Sequence, residues 1–222
     1  MPVLAVPGIP EIRLHTATPV SRLRTLSGTT EAEPGAPYWA YRWAGGLALA
    51  RYVLDHPEVA AGRRVLDLGA GSGLVAIAAA KAGAARVQAA EVDAHAIAAL
   101  HLNAAENDVA IQVVGTDMTG GAAPDVDTVL VGDLFYDLIL AARVTMFLDR
   151  CRSAGIAVLI GDPWRTYLPC SRLVEVARYD VSETNATAMR PSGIFRPKMS
   201  VSLSRDYRAP LSGGGRLEEC PP

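Results

Sequence analysis

Hydrophobic positions in the middle of the chain alternate between short continuous runs and runs with a helical period. Continuous apolar runs are typical of strands buried on both faces, and apolar positions three or four apart are typical of helices. The pattern predicts strands at 64–68, 86–91, 111–114, 128–131 and 156–160, and helices at 45–55, 74–82, 94–106 and 138–150. Strands and helices in alternation predict an α/β fold, with a mostly parallel sheet covered by helices on both faces.

The region after Pro163 has a different pattern. Apolar runs at 173–181 and 198–203 predict two further strands. The stretch 182–197 between them is polar and has no helical period, so it predicts a long loop. Two strands joined without a crossover helix are expected to form an antiparallel hairpin.

The ends of the chain suggest a division into three parts. Residues 1–36 mix Pro, Gly, Thr and Ser with short apolar stretches, and predict an extended lead-in with at most one edge strand. Residues 37–205 form the expected main domain. Residues 206–222 contain Ser-Gly-Gly-Gly and end in Pro-Pro, so we expect a disordered tail.

Composition narrows the class of protein. The chain has 222 residues and a net charge of −2, which argues against a protein that grips nucleic acid by bulk charge. No apolar run approaches the ~20 residues needed to span a membrane. The N-terminus resembles neither a secretory signal nor a transit peptide. Of the 21 basic residues only Lys81 and Lys198 are lysines, a bias typical of GC-rich genomes. We therefore expect a monomeric protein of a bacterial cytoplasm.

A glycine-rich turn, Gly69-Ala70-Gly71-Ser72-Gly73, follows the first central strand and opens a helix. Glycines allow the backbone to turn sharply and to lie against a ligand. Glu91 ends the next strand 22 residues after Gly69, close to the ~20 residues expected of an acid that binds ribose. An ordinary strand-to-helix turn is the competing interpretation, but the two signals together favour a nucleotide cofactor.

The spacing of the glycines leaves the nucleotide open. The dinucleotide pattern fails when counted from Gly69 and is met when counted from Gly71, with Ala76 in third place. A P-loop is excluded, because no Gly-Lys-Ser/Thr follows. Asp67 precedes the glycines. A carboxylate there suits a cofactor that carries an ammonium and a sulfonium, as S-adenosylmethionine does, better than a pyrophosphate.

The segment Leu66–Gly73 resembles the first motif of class I S-adenosylmethionine-dependent methyltransferases. Pro37–Gly46, Gly132–Asp137 and Gly161–Pro163 are similar to the lysine methyltransferases that modify the β subunit of electron-transfer flavoprotein. The resemblance covers about 37–164. It implies a Rossmann-like, seven-stranded sheet with a C-terminal antiparallel hairpin, S-adenosylmethionine as cofactor, and that β subunit as protein substrate.

The same resemblance implies roles for individual residues. Catalytic residues facing the target lysine would be Asp133 and Tyr136, and substrate-binding residues would be Phe135 and Asp162. The cofactor would be held by Trp43, Gly45, Asp67, Gly69, Gly71, Gly73, Glu91 and Asp117. Trp164 stands where glycine is more usual, so no role is carried over to Arg165.

The chemistry of methyl transfer to an amine agrees with these roles. A free lysine of pKa ~10.4 is protonated at neutral pH and has no lone pair for attack. Asp133, at the carboxyl end of a strand, could hold the ammonium while desolvation by Phe135 and Tyr136 lowers its pKa. Asp137 is the better cap for the next helix, which leaves Asp133 free for a ligand. The histidines and cysteines show no metal spacing, so no metal site is predicted.

Three other functions stay open at this stage. The acceptor could be a ribosomal protein or a small-molecule amine instead of the flavoprotein subunit. The chain could bind the cofactor as a regulator without turnover. A nicotinamide oxidoreductase is the remaining alternative, and binding of NAD in place of S-adenosylmethionine would indicate it.

Overall fold

A computed structural model of the chain describes residues 1–17, 37–184 and 188–198. The elements are β1 (Val3–Val6), β2 (Ile9–His15), α1 (Ala44–Asp55), β3 (Arg64–Leu68), α2 (Leu74–Lys81), β4 (Arg86–Ala90), α3 (Ala94–Glu106), β5 (Gln112–Val114), β6 (Thr128–Gly132), α4 (Leu138–Ser153), β7 (Ala157–Asp162), β8 (Leu173–Val181) and β9 (Arg190–Pro197). Within these residues no helix combines the length and the apolar character needed to cross a membrane.

Seven strands form one sheet in the order β5-β4-β3-β6-β7-β9-β8. The strands from β5 to β7 pair in parallel, and β9 pairs antiparallel with both β7 and β8. The predicted fold class is confirmed. The chain order reverses beside β3, which lies between β4 and β6, and ligands of open α/β sheets bind at such a point.

The hydrophobic core lies on both faces of the sheet. Val65 and Leu66 are adjacent in β3 and fully buried, yet belong to two different clusters, because successive side chains of a strand point to opposite faces. One cluster includes Leu47 of α1 and Ile77 of α2. The other includes Phe147 of α4. Burial on both faces explains why the central strands read as continuous apolar runs.

The last strand differs from the sequence prediction. β9 occupies Arg190–Pro197, inside the stretch expected to be a loop. The strand predicted at 198–203 is wrong at Lys198, which follows β9, and its other residues lie outside the described part of the chain. Only four residues of β9 are buried, and two of them are Ser192 and Gly193. A Cβ on Gly193 would lie 2.4 Å from the Phe195 ring, so a small residue is required where a strand signal needs a large one.

The N-terminal residues also differ from the expected lead-in. β1 and β2 pair as an antiparallel hairpin whose Ile9, Ile12 and Leu14 are buried in the core that contains α1 and α2. The stretches at 18–36 and 206–222, the second of which is the expected disordered tail, lie outside the described residues. The alternation in β2 is interrupted by Pro10 and spans few residues, which explains why the sequence signal was weak.

Candidate active site

A cavity of about 630 Å³ lies at the carboxyl ends of β3, β4, β6 and β7. Its walls come from the glycine turn, the residues after β4, the stretch 116–119, the residues after β6 and the aromatic segment that precedes α1. Because these strands are neighbours in the order β4-β3-β6-β7, Glu91 and Arg165 stand at opposite ends of the cavity. The cavity occupies the place where the strand order reverses.

The glycine turn has the left-handed backbone that glycine favours. Gly69, Gly71 and Gly73 have φ of +69°, +52° and +90°. Gly69 and Gly71 line the cavity, whereas Gly73 is not among the lining residues. A Cβ on Gly73 would lie 2.9 Å from Leu100 Cγ, so the third glycine allows α2 and α3 to pack closely. Two of the three glycines of the turn therefore face the cavity.

Glu91 connects the glycine turn to the end of β4. Its Oε2 accepts a hydrogen bond of 2.8 Å from the backbone N–H of Gly71. Its Oε1 accepts from the backbone N–H groups of Val92 and Asp93 at 2.7 and 3.0 Å. The carboxylate lines the cavity while it holds the turn, so its orientation is fixed before any ligand binds.

Asp67 is buried beneath the glycine turn. Its Oδ2 accepts a 2.9 Å hydrogen bond from the backbone N–H of Ala76 in the first turn of α2. Burial raises the pKa of Asp67 to about 7, and repulsion from Glu91 adds to the increase. This carboxyl therefore anchors the helix as well as facing the cavity, a structural task that the sequence argument did not foresee.

Asp117 stands at the side of the cavity after β5. Its Oδ1 accepts hydrogen bonds from the backbone N–H and the hydroxyl of Thr119, at 2.8 and 2.6 Å. These bonds, and to a lesser degree the ion pair with Arg143, lower the pKa of Asp117. Met118 lies beside it in the wall. The site thus offers an apolar surface with a charged edge.

Asp133 follows β6 and is only 6% exposed. Its φ of +58° is rare for a residue other than glycine, and Asp and Asn tolerate it best. Its Oδ2 accepts a 2.7 Å hydrogen bond from Gly46 N–H, and its Oδ1 accepts from Arg165 Nε and Nη2 at 2.9 and 2.7 Å. Burial raises the pKa of Asp133, opposed by the charge of Arg165. The sequence argument did not foresee that Gly46 and Arg165 already engage this carboxylate.

Arg165 is the site residue that the sequence argument missed. Its backbone N–H donates to Asp162 Oδ1 at 2.7 Å, and its guanidinium lies 5.5 Å from the centre of the Trp43 ring. It follows Trp164, whose φ of +56° is costly for a large side chain, where the resemblance expects glycine. The resemblance expects an arginine after that glycine, which was the available signal, and the departure at Trp164 obscured it.

Aromatic residues cover the end of the cavity that contains Asp133 and Arg165, which is called the acceptor end below. The Tyr38 ring lies 6.1 Å from Trp43 and 6.0 Å from Tyr136, and Tyr41 lies 5.9 Å from Trp43. Trp43 Nε1 donates a 2.9 Å hydrogen bond to the Tyr38 carbonyl. Tyr136 is 51% exposed and lines the cavity, and partial burial raises the pKa of its hydroxyl. The predicted residues Trp43 and Tyr136 thus both line the cavity, and the Tyr38 ring lies close to each of them.

Besides Gly73, three predicted site residues do not line the cavity. Phe135 is fully buried in the core that contains Phe147. A Cβ on Gly45 would lie 2.2 Å from the Gly161 carbonyl oxygen, so Gly45 permits α1 to contact β7. Asp162 is fully buried, its Oδ2 has no hydrogen-bond partner among the described residues, and burial raises its pKa to about 7. The described residues contain no cluster suited to a metal ion.

Comparison with known proteins identifies relatives of this chain. The family model for ribosomal protein L11 methyltransferase (PrmA) matches residues 48–154. The electron transfer flavoprotein beta subunit lysine methyltransferase of Danio rerio is 45% identical over 158 residues, which cover 70% of this chain and 61% of that protein. The protein of the same name from Xenopus laevis is 40% identical over 185 residues, which cover 80% of this chain and 74% of that protein.

Solved structures agree on the fold. A putative RNA methyltransferase from Pyrococcus horikoshii matches with a TM-score of 0.54 and 20% identity, covering 85% of this chain and all of the other. A ribosomal protein L11 methylase from Lactobacillus delbrueckii matches with a TM-score of 0.51 and 21% identity, covering 69% of this chain and 79% of the other. At these identities the likeness concerns the fold.

The prediction of a bacterial cytoplasmic protein is wrong. The proteins of 39–45% identity come from fish, frog, rat, human and mouse, so a bacterial origin is not indicated. The excess of arginine over lysine reports codon usage and is a weak guide to origin. The identities and the coverage, together with the predicted motifs, show that the chain belongs to the family of electron transfer flavoprotein beta subunit lysine methyltransferases.

Proposed function

We propose that the chain is a protein-lysine N-methyltransferase that uses S-adenosylmethionine and modifies the β subunit of electron-transfer flavoprotein. The observation that carries the proposal is the juxtaposition, in one cavity, of the glycine turn with Glu91 and of the buried Asp133 with Tyr136. The name shared by the relatives supports the choice of substrate.

The glycine end of the cavity fits S-adenosylmethionine. Gly69 and Gly71 keep the turn free of side chains, and a Cβ on Gly69 would lie 2.7 Å from Leu134. Glu91 would accept from the ribose hydroxyls. Val92 and Met118 offer apolar surface for adenine, with Asp117 at its edge. Asp67 would lie near the positively charged methionine portion, and Trp43 would cover the site. When bound, the cofactor supplies a methyl group on a positively charged sulfur.

The residues predicted for the site but absent from the cavity wall would act indirectly. Gly45 and Gly73 let α1 and α2 approach their neighbours, which places Gly46 and the glycine turn. Asp162 accepts from Arg165 N–H and so holds the arginine that contacts Asp133. Phe135 supports the turn after β6 from the core.

Asp133 and Tyr136 are the proposed catalytic residues. Asp133 would hold the lysine nitrogen in line with the methyl group, since an oriented nucleophile needs little further entropy loss. The aromatic opening excludes water around the amine, which lowers its pKa and favours loss of its proton to bulk solvent. The neutral nitrogen then carries the lone pair needed for attack.

A ribosomal protein is the second candidate substrate. The match to the ribosomal protein L11 methyltransferase model over 48–154 favours it, because that stretch contains the glycine turn, Glu91 and Asp133. It does not include the aromatic segment before α1 or Arg165. Those residues border the acceptor side, so the match bears more on the cofactor end than on the acceptor.

The intact mass of the recombinant flavoprotein β subunit after incubation with the protein and S-adenosylmethionine tests the proposal. We expect mass increases of one or more methyl groups. Asp133→Asn should reduce the rate at least about 100-fold while cofactor affinity stays within about twofold, because an amide cannot stabilise the positive charge that develops on the nitrogen as it accepts the methyl group. Asp108→Asn is the matched control, since Asp108 is exposed and also has a positive φ of 53°.

Two outcomes would contradict this assignment. Wild-type turnover on ribosomal protein L11 and none on the flavoprotein subunit would transfer the proposal to the second candidate. Retained turnover in Asp133→Asn would remove Asp133 from the catalytic role. Cofactor binding without turnover on either protein would indicate a regulator.

A further inference from the structure

We propose that Arg165 makes the acceptor site selective for the neutral amine, by occupying Asp133 and repelling an approaching ammonium. This inference rests on the proposed lysine methyltransferase function. Arg165 is then a positioning residue that acts on the charge of the incoming amine, and the sequence alone assigned it no role.

The ion pair between Arg165 and Asp133 is largely buried, and neighbouring groups hold both side chains in place. The side chains are 17% and 7% exposed. Arg165 Nε and Nη2 both donate to the same oxygen, Asp133 Oδ1, while the other oxygen accepts from Gly46 N–H. The Trp43 ring on one side and the backbone bond to Asp162 on the other hold the arginine in place. The guanidinium is therefore built into the wall of the acceptor end.

The charges around Asp133 decide what an incoming amine meets. Arg165 offsets the charge of Asp133. Asp162 lies behind the pair with a pKa raised to about 7. Glu183 is already engaged by Arg190 and by the backbone N–H of Ala44. Tyr136 and, from the aromatic segment before α1, Tyr38, Tyr41 and Arg42 also line the cavity, and Glu91 lies across it.

An amine that arrives as an ammonium would therefore find a carboxylate already paired and a fixed positive charge beside it. A nearby like charge disfavours the charged form of a titrating group. The neutral amine has no such penalty, and the remaining acceptor capacity of Asp133 can orient one of its N–H groups. The arginine thus lowers the pH at which the bound lysine becomes reactive.

A purely structural role for Arg165 predicts something different. If the arginine only held Asp133 in its left-handed conformation, its loss would reduce the rate by the same factor at every pH. If the arginine acts as a filter against the ammonium, a variant without it should largely regain the wild-type rate at high pH, where lysine is neutral without the help of the site. The pH profile of kcat therefore separates the two roles.

The test compares wild type with Arg165→Met, Arg165→Gln and Arg165→Lys on the flavoprotein β subunit, between pH 7.5 and 10.5. We expect the ascending limb of kcat to move up by about one pH unit in the two neutral variants, which is about tenfold in rate at pH 7.5. At pH 10.5 their rates should approach wild type, and Arg165→Lys should retain the wild-type limb. Cofactor affinity should not change in any variant.

Arg178→Met is the matched control, because Arg178 also lies over an aromatic ring, 4.4 Å from Trp164, but outside the cavity wall. If the pH profiles of kcat of wild type and the neutral variants are parallel, whatever their absolute rates, the inference is overturned and the proposed methyltransferase function stands. No wild-type turnover, with cofactor binding intact, would overturn the proposed function and the inference together. Two neutral substitutions guard against a single variant that does not fold.

Discussion

The two ends of the cavity are built in different ways. At the glycine end, the turn and the Glu91 carboxylate come from one stretch of chain, Gly69 to Asp93, and Glu91 is held by backbone N–H groups. The acceptor end joins Gly46, Asp133 and Arg165, and Asp133 lies 87 residues after Gly46 and 32 residues before Arg165. A local motif can encode the first end. Only tertiary packing can assemble the second.

The two ends also differ in their electrostatics. The carboxylate of Glu91 accepts three backbone hydrogen bonds at the cavity edge. At the acceptor end Asp133 and Asp162 are both buried, and Arg165 donates to Asp133 from its guanidinium and to Asp162 from its backbone N–H. Burial raises the pKa of both carboxyl groups. The acceptor end should therefore be more sensitive to substitution and to pH, because buried charges depend on exact partners.

The contact of α1 with β7 should give the largest effect. Gly45→Ala would place a Cβ 2.2 Å from Gly161 O and 2.6 Å from Asp133 Oδ2, and neither a backbone carbonyl nor the paired carboxylate can move away cheaply. We expect a loss of about 4 kcal/mol in the free energy of unfolding, at the upper end of overpacking effects, and loss of activity. Denaturant unfolding measures it.

Gly46→Ala is the matched control for that change. A Cβ on Gly46 would have nothing within 4 Å, and the residue lies in the first turns of α1. Alanine in a helix is more favourable than glycine, so the free energy of unfolding should rise by about 0.5–1 kcal/mol. Equal destabilisation by the two substitutions would show that the close approach of α1 is not what positions the acceptor end.

Asp162→Asn should have the next largest effect, and the effect should depend on pH. The folded pKa of about 7 lies above the ordinary value of 3.8, so the folded state binds more protons than the unfolded state between these values. The contribution of protonated Asp162 to the stability of the fold is therefore present at pH 4, and it is lost as the pH rises through 7. Asparagine removes this decline. We expect a gain of about 2 kcal/mol at pH 8 and little change at pH 4, measured by unfolding at both values.

Asp127→Asn provides the opposite sign for comparison. Hydrogen bonds from Arg64 lower the pKa of Asp127 to about 2, below the ordinary 3.8. The carboxylate therefore stabilises the fold above pH 4, and this contribution disappears as the pH falls through 2. Its substitution should reduce stability at pH 8. The same sign for both variants would contradict the burial argument for Asp162.

Glu91→Ala should give the smallest of these effects, confined to the glycine end. We expect the dissociation constant for S-adenosylmethionine to rise at least about tenfold, since the ribose hydroxyls and the Gly71 N–H would both lose an acceptor. Glu91→Gln keeps one acceptor oxygen and should lose less. Calorimetry measures both, and an unchanged constant in Glu91→Ala would exclude the ribose role.

Sequence patterns predicted the central sheet well, for a physical reason. β3 and α3 were predicted with their observed bounds, and β4 within one residue. Buried parallel strands are continuous apolar runs, and the caps that begin helices are local, as the 2.9 Å bond from Leu140 N–H to Asp137 shows. The glycine turn was readable because its function depends on residues that are adjacent in sequence.

The parts that failed depend on partners distant in sequence. β9 was missed because Gly193 leaves room for Phe195, a requirement of the fold that removes the apolar signal. Arg165 was set aside because Trp164 departs from the resemblance. Its partner Asp133 lies 32 residues earlier, so nothing local indicated the pair. Phe135 was placed at the site because the motif contains it, although its side chain points into the core.

The N-terminal hairpin limits how the chain can be shortened. Asn107 accepts from Arg13 N–H and donates to Arg13 O, and Asn103 accepts from His15 N–H while it donates to Ser72 O beside the glycine turn. A protein that began at Pro37 would leave two buried asparagines without their partners Arg13 and His15, and would expose the surface against which Ile12 packs. An expression boundary for crystallisation or assay should therefore precede Val3, because the first strands support the helix that contacts the glycine turn.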